Sequence, residues 1–550
     1  MVQLLKMVDI KKFPGISVAT QITINFYLML IPPKRLFNIE TMKTVMYEDV
    51  VDDVKENGYI AISHVWGDQT LYDPEELGIK GGVSWKVPFS DPKKMHKIKV
   101  GMESFKPIYC WLDVVCMPQD KQDEINLEIP FMGDYYAGAG LTFVLSDEIY
   151  PMSDKFSRWN SIMDDIINNE RNLTGDEVKF VTNLDDNLLI PTDAWFTRVW
   201  TLQEAVLSRV LVLVDKKGSI SNLSLFLRKL YCFRKVCLVR MTFGDFADQL
   251  LDLQSGIEST SAGRANLASI SSVRGDRNCY KVQDKFYGML GILGYKDFVV
   301  DYNINPEELN KKIVQYAYSK GDLGWMSVMG SATSFIQPMY EESKCIGENW
   351  SEDKPGSCGL TFEDDALYLN VCTFAKITYA KKFVGRGEAL ANWCIHTFKD
   401  LGFSIDDIAD VMASYIYLDD GATKVLKMQL EYVAGCLDEE SVRTISKSVV
   451  NDDNYEKNLQ IAGTVLSNIR TSTDVNICKA ISFGEEIPLL ICGNVNVGDD
   501  VMMVRMHDDR GRSLGIVSSG SQRKSVFLYK YLEISDDDVD AYYLPHKFML

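Results

Sequence analysis

The chain has 550 residues, a formal net charge of −19, 25% charged residues and 11% aromatic residues. This composition excludes global disorder, and at roughly 150 residues per domain the length gives about three or four units. The acidic balance argues against a nucleic-acid-binding protein, which normally presents a basic face. None of the twelve cysteines is paired as Cys-x-x-Cys, which argues against zinc ribbons and thioredoxin-type redox sites. In contexts such as "LYCFRKVCLV" they read as reduced core cysteines of a cytosolic protein. The five histidines are scattered, so no His-based metal site is expected.

Residues 1–33 read as an N-terminal extension. Within it, "GISVATQITINFYLMLI" is apolar but short for a membrane span and interrupted by Thr20, Gln21, Thr23 and Asn25. It lacks a clear small-residue cleavage site and reads as a strand or helix, with no membrane association expected. Four short runs follow that are apolar on both faces: "YIAIS" (59–63), "IYCWLDVV" (108–115), "LTFVLS" (141–146) and "VLVLV" (210–214). Such runs suit strands of a parallel sheet covered on both sides. The helix-like "KQDEINLEIPFMGDYYAGAG" separates the second from the third, and "WFTRVWTLQEAVLS" (195–208) precedes the fourth. This alternation implies βαβ units and an α/β domain over 34–218, with a polar insertion at 147–194. Residues 219–345 read as a helical extension, in which "DKFYGMLGILG" is an apolar helix ending at glycine. Residues 346–550 read as a small β domain with a helical insertion at about 386–470. Its strands at 361–382 are expected to pair with those after 478.

Three stretches carry candidate site residues. "YIAISHVWGDQ" runs from a strand into a polar loop, and α/β sheets bind ligands outside the carboxyl ends of their strands. Ser63, His64, Trp66, Gly67 and Asp68 would lie there, although from spacing alone a purely structural turn with Gly67 at an unusual φ is the commoner reading. In "IYCWLDVVCMPQD", strand alternation would put Tyr109, Trp111 and Asp113 on one face. A buried Asp113 would need partners, as a hydrogen-bond hub or as a site residue. Cys116 sits in core-like context, which argues against a cysteine nucleophile. In the 195–208 run, helical spacing would put Trp200, Glu204 and Ser208 on one face. Glu204 is a candidate working carboxylate or the partner of Arg198 or Arg209. No Walker A, GxGxxG, HExxH or GxSxG pattern occurs.

Together, "YIAISHVWGDQ", "YCWLDVVCMPQDKQDEINLEIPFMGDYY", "TFVLSD" and "WFTRVWTLQEAVLS" resemble, in order and spacing, the successive blocks of the heterokaryon-incompatibility (HET) domain of fungi. "RLFNIETMKTV" (35–45) resembles the opening of such proteins, and "DKFYGMLGILG" with "VVDYNINPEELNKKIVQYA" the segment that follows the domain. Glu128 and Pro130 depart from the pattern, so the helix there is expected to start or kink at Pro130. HET domains are similar in fold to Toll/interleukin-1-receptor (TIR) domains, which implies a TIR/flavodoxin-like parallel sheet with flanking helices. "WTLQEAV" matches the TIR pattern Trp-x-x-x-Glu, in which the glutamate is catalytic in those TIR domains that cleave NAD. The resemblance therefore implies a cytoplasmic cell-death or allorecognition protein with Glu204 as catalytic residue. Ser63, His64, Trp66, Asp68, Asp113 and Trp200 would bind the substrate. NAD would be substrate rather than cofactor, and no metal is expected. Self-association or a partner protein would be the trigger. The alternative is a non-catalytic TIR-like interaction module of the same fold.

Overall fold

The computed structural model describes, in its N-terminal half, residues 30–67, 70–103, 107–145, 194–214, 220–236, 265–275 and 277–329. In the C-terminal half it describes 359–363, 366–382, 389–416, 475–482, 484–492, 495–508, 513–519, 522–527 and 544–549, with isolated short stretches elsewhere. The apolar N-terminal segment, Asp68 and most of the 147–194 insertion lie outside the described residues. The chain forms two compact units, one drawn from residues up to 309 and the other chiefly from Asn310 onward.

The first unit is built on a seven-stranded sheet. Its strands are β1 (Arg35–Asn38), β2 (Lys43–Met46), β3 (Ile60–His64), β6 (Tyr109–Trp111), β7 (Leu141–Leu145), β8 (Leu211–Val214) and β9 (Ile220–Asn222), in spatial order β2-β1-β6-β3-β7-β8-β9. A separate two-stranded ribbon pairs β4 (Thr70–Tyr72) with β5 (Val87–Phe89). The central strands β6, β3, β7 and β8 are mutually parallel, as the four apolar runs required. Every residue of these four strands is buried, because helices cover both faces. The antiparallel β1–β2 hairpin extends one edge and β9 the other. At the hairpin turn, Asn38 Oδ1 accepts from the backbone N–H groups of Glu40 and Thr41, the local bonding that favours Asn in turns.

Register assigns the faces. Ala61 lies opposite Trp111 and Thr142, and Ser63 opposite Val144; these side chains share one face. The Met132–Gly138 helix packs there through Tyr135 and Tyr136, whose rings meet Trp111 edge-on with centroids 5.3 Å apart. The Trp200–Leu207 helix packs on the same face, where Ser208 Oγ and Thr142 Oγ1 are 2.5 Å apart. Ile60, Ile62, His64 and Phe143 point to the other face. The Lys93–Met102 helix covers Phe143 so closely that a Cβ on Gly101 would stand 3.2 Å from the ring.

Two local departures from the sequence reading shape the site. The second strand ends at Trp111 rather than running through 115. Asp113 opens a short helix, Asp113–Cys116, so it does not share a strand face with Tyr109 and Trp111. The 195–208 run is not one helix. A turn, Ala194–Thr197, is separated from the Trp200–Leu207 helix by a bridge between Arg198 and Asn278. Asn278 N–H donates to Thr197 O at 2.6 Å and Val199 N–H to Asn278 O at 3.0 Å, which diverts these backbone groups from helical bonding. The Pro130 region kinks as expected: a 3-10 turn at Ile129–Phe131 joins helices Gln122–Glu128 and Met132–Gly138. The Asp284–Leu293 helix ends at Gly294, whose φ of +69° is the left-handed cap that glycine adopts freely.

Two short strands, β10 (Val328–Met329) and β11 (Lys344–Cys345), pair with each other. The second unit carries an antiparallel sheet of nine strands among the described residues, β12 (Trp350–Glu352) to β20 (Leu544–Met549); with β16 (Glu485–Cys492), β18 (Ser513–Ser519) and β19 (Gln522–Phe527), its main path is ordered β16-β15-β14-β17-β18-β19. The 17-residue β14 (Ala366–Lys382) is its spine. It pairs with β15 (Val475–Ser482), β17 (Asp500–Asp508) and β20 along successive segments. Val371 faces Val504 and Ala375 faces Val501, so strands before and after the helical stretch join in one sheet as the sequence pattern implied. Ala375, Ile377, Cys478, Ala480, Ile487, Leu489, Ile491 and Val501 form one apolar cluster on it. Two amphipathic helices, Ala389–Asp400 and Ile405–Ile416, pack on β15 and β16 (Glu485–Cys492). Among the described residues no helix is long and apolar enough to cross a membrane.

Candidate functional site

The carboxyl ends of β3 and β6 carry two polar clusters, one on each face of the sheet. Strand alternation causes the division, because the adjacent residues Ser63 and His64 leave β3 in opposite directions.

On the Ser63 side, Ser63 Oγ–H donates to the Glu204 carboxyl in a short hydrogen bond. The Trp195 indole N–H donates to the same Ser63 oxygen at 2.5 Å. The Tyr136 hydroxyl also hydrogen-bonds Glu204. The surrounding side chains are buried, and Glu204 itself is 6% exposed. Burial raises the Glu204 carboxyl to about 8, reinforced by the charge of Asp113 and opposed by the Ser63 and Tyr136 hydroxyls and by Arg198. Burial, with Glu204 and Asp113 nearby, likewise raises the Tyr136 phenol. Arg209 instead donates from Nε to Ala137 O at 2.9 Å.

On the other side, His64 Nε2 lies 3.1 Å from Asp113 Oδ1, and the Trp66 indole N–H donates to Asp113 Oδ2 at 2.8 Å. The Val114 N–H donates to Asp113 Oδ1 at 2.7 Å. The His64 ring stacks on Phe89 with centroids 5.4 Å apart, and Lys94 Nζ donates to Val65 O at 2.7 Å. The Asp113 side chain is 17% exposed. Burial alone would raise its carboxyl, but His64, the Trp66 N–H and the Val114 N–H more than offset burial and hold it below the usual carboxylate range.

Of the residues singled out in the sequence, Ser63 and Glu204 touch directly, while His64, Trp66 and Asp113 form the second cluster. Trp200, one turn before Glu204, hydrogen-bonds Asp284, which also accepts from Tyr302 Oη at 2.8 Å. Ser208 caps the helix, its hydroxyl donating to Glu204 O. Burial pushes the Cys116 thiol up to about 12, which suits a core residue and not a nucleophile. Among the described residues no group of three or more His, Cys, Asp or Glu side chains is arranged to hold a metal ion. Tyr136, Trp195, Phe89 and Lys94 complete the two clusters and were not assigned from the sequence. They approach across loops or from other elements, so no local spacing signals them.

The fold is thus an α/β unit in which a buried helical carboxyl meets the Ser63 hydroxyl at the end of β3 and the Tyr136 hydroxyl, with the Trp195 indole donating to Ser63. Residues 59–204, which span β3, both clusters and Glu204, match the family model of the heterokaryon incompatibility protein (HET), so this part of the chain is similar to a HET domain. Among curated proteins and among solved structures, none matches the chain.

Proposed function

We propose that this chain is a cytoplasmic cell-death protein of heterokaryon incompatibility whose HET domain cleaves NAD to nicotinamide and ADP-ribose. Glu204 is the catalytic carboxylate. One observation carries the reading: a buried carboxyl, held by two hydroxyl donors, stands beside the carboxyl ends of a parallel sheet. The winding supports it. In chain order β3, β6, β7 and β8 are the first to fourth parallel strands, and in space they run second-first-third-fourth. That is the beginning of the flavodoxin-like order to which TIR domains also conform. Doubly wound sheets of this kind bind ligands where the strand order reverses, beside the first strand. Ser63 and His64 end that strand.

The chemistry needs one carboxylate. When the bond between nicotinamide and ribose breaks, its electron pair goes to the pyridinium nitrogen and nicotinamide leaves uncharged. No acid has to protonate the leaving group, unlike glycoside hydrolysis with its two carboxyls. Ionised Glu204 stabilises the oxocarbenium-like ribose electrostatically, and water then adds to the sugar carbon and loses its extra proton to Glu204 or to solvent. Part-exposed Trp66 and Asp113, with His64, Asp68 and Trp200, contact the rest of the substrate. In the resting geometry Glu204 is closed over by Ser63 and Tyr136, and burial favours its neutral form; self-association or a partner protein would promote its access to substrate. The same burial favours a second reading, a non-catalytic TIR-like signalling module in which Glu204 is an internal hydrogen-bonding group.

NAD consumption by the purified full chain separates the two. Wild type should release nicotinamide, and Glu204→Gln, which keeps shape and hydrogen-bonding capacity, should lose at least 100-fold, on the order expected for one electrostatic stabiliser. Turnover by neither would favour the non-catalytic module, and equal turnover by both would rule out Glu204 as the catalytic carboxylate.

A further inference from the structure

Ser63 is a serine with one proton and two hazards. It can donate to Glu204, or it can rotate and accept from a protonated Glu204. Which of these holds decides whether Ser63 favours the ionised or the neutral carboxyl. The structure supplies a third group that chooses: the fully buried Trp195 indole, whose N–H points at Ser63 Oγ from 2.5 Å.

We propose that Trp195 is a positioning residue for Glu204, occupying the acceptor side of Ser63 Oγ with its indole N–H so that the single Ser63 proton is directed onto the carboxylate. An indole nitrogen donates only, so this bond cannot invert. The second lone pair could still accept from a neutral Glu204, but the buried Ser63 proton would then need another acceptor, whereas donation to Glu204 leaves only a lone pair unused. The inference rests on the reading of Glu204 as the working carboxylate.

The indole is placed by backbone that the sequence pattern did not suggest. The turn carrying Trp195 is held by Thr201 Oγ1 donating to Trp195 O at 2.5 Å and by Arg277 Nη1 donating to Phe196 O at 2.6 Å. The Asn278 bridge holds its far end, and the Phe196 ring meets the indole edge-on with centroids 4.9 Å apart. Arg277 and Asn278 lie beyond the residues that match the family, so the segment after the domain fixes a residue within it. The other groups acting on Glu204 are Tyr136 from the Met132–Gly138 helix, Asp113 after β6, and Arg198 before its own helix. None of them contacts Ser63 as Trp195 does in a way that orients its proton.

The test is infrared titration of the Glu204 carboxyl in the full chain, its band identified as the one lost in Glu204→Gln. Trp195→Phe keeps an aromatic ring and removes the N–H. It should move the Glu204 midpoint upward by about one pH unit. Ser63→Ala should also move it upward, and the double variant should move it no further than Ser63→Ala alone. A Trp195→Phe midpoint equal to wild type, or a shift fully additive with Ser63→Ala, would overturn the proposal. Should Trp195→Phe fail to fold, the Trp195 indole resonance of the unaltered chain serves. It should titrate with the Glu204 midpoint and lose that response in Ser63→Ala, whereas a response retained in Ser63→Ala overturns the proposal. NAD consumption measured in parallel keeps the two claims apart: an inactive chain with the expected carboxyl shifts contradicts the enzyme and leaves the positioning role established.

Discussion

Two carboxyls stand at neighbouring strand ends on opposite sides of one sheet, and their surroundings drive them in opposite directions. Glu204 meets hydroxyls and apolar walls, and burial raises it to about 8. Asp113 is also deeply set, yet a histidine ring, an indole N–H and a backbone N–H converge on it and hold it low. The number and charge of the donors decide the outcome, more than depth does. A group that must switch between neutral and ionised forms is served by the first arrangement. A group that must stay ionised and anchor a loop is served by the second.

The largest effect is expected on the Asp113 side. Asp113→Ala strands His64 Nε2, the Trp66 indole N–H and a backbone N–H in a mostly buried place, and should lower unfolding stability by about 3 kcal/mol in urea denaturation. Asp113 is held below its unfolded range, so the stabilisation it contributes is present above the ordinary carboxylate range and is lost as pH falls through the folded value. The variant should therefore flatten the acid limb of the stability profile.

A smaller effect of opposite sense belongs to Glu204. Its folded value lies above the unfolded one, so between roughly 4.5 and 8 the unfolded chain has released a proton that the folded chain retains. Stability should fall across that window as pH rises and level off above it. Glu204→Gln should remove this slope between pH 5 and 8, as read by urea denaturation at several pH values. An unchanged slope would mean that Glu204 is ionised in the resting protein.

Much of this frame was legible in the sequence. Runs such as "LTFVL" and "LVLV" have no polar face, and only a strand covered on both sides accommodates them. The pairing of 366–382 with 500–508 followed from strand patterns on either side of a helical stretch. The site was legible in part. Ser63 and Glu204 stand out in the sequence, and strand alternation sends the adjacent His64 to the other face. Asp113 looked like a strand residue because "YCWLDVV" is apolar throughout, whereas the chain turns into a helix there. Trp195 and Tyr136 were hidden for a different reason. Trp195 reaches Ser63 across 132 residues of sequence, and its aim depends on a break at Arg198 imposed by Asn278, which no periodicity within the run encodes.

The most direct test of Glu204 as a working carboxylate is the pH dependence of NAD consumption by the full chain, measured beside Glu204→Gln. Activity that requires the ionised form of a carboxyl raised to about 8 should climb with pH through that region and level off above it, with the glutamine variant inactive throughout. A profile already flat above pH 6, or a glutamine variant that consumes NAD at the wild-type rate, would contradict the account.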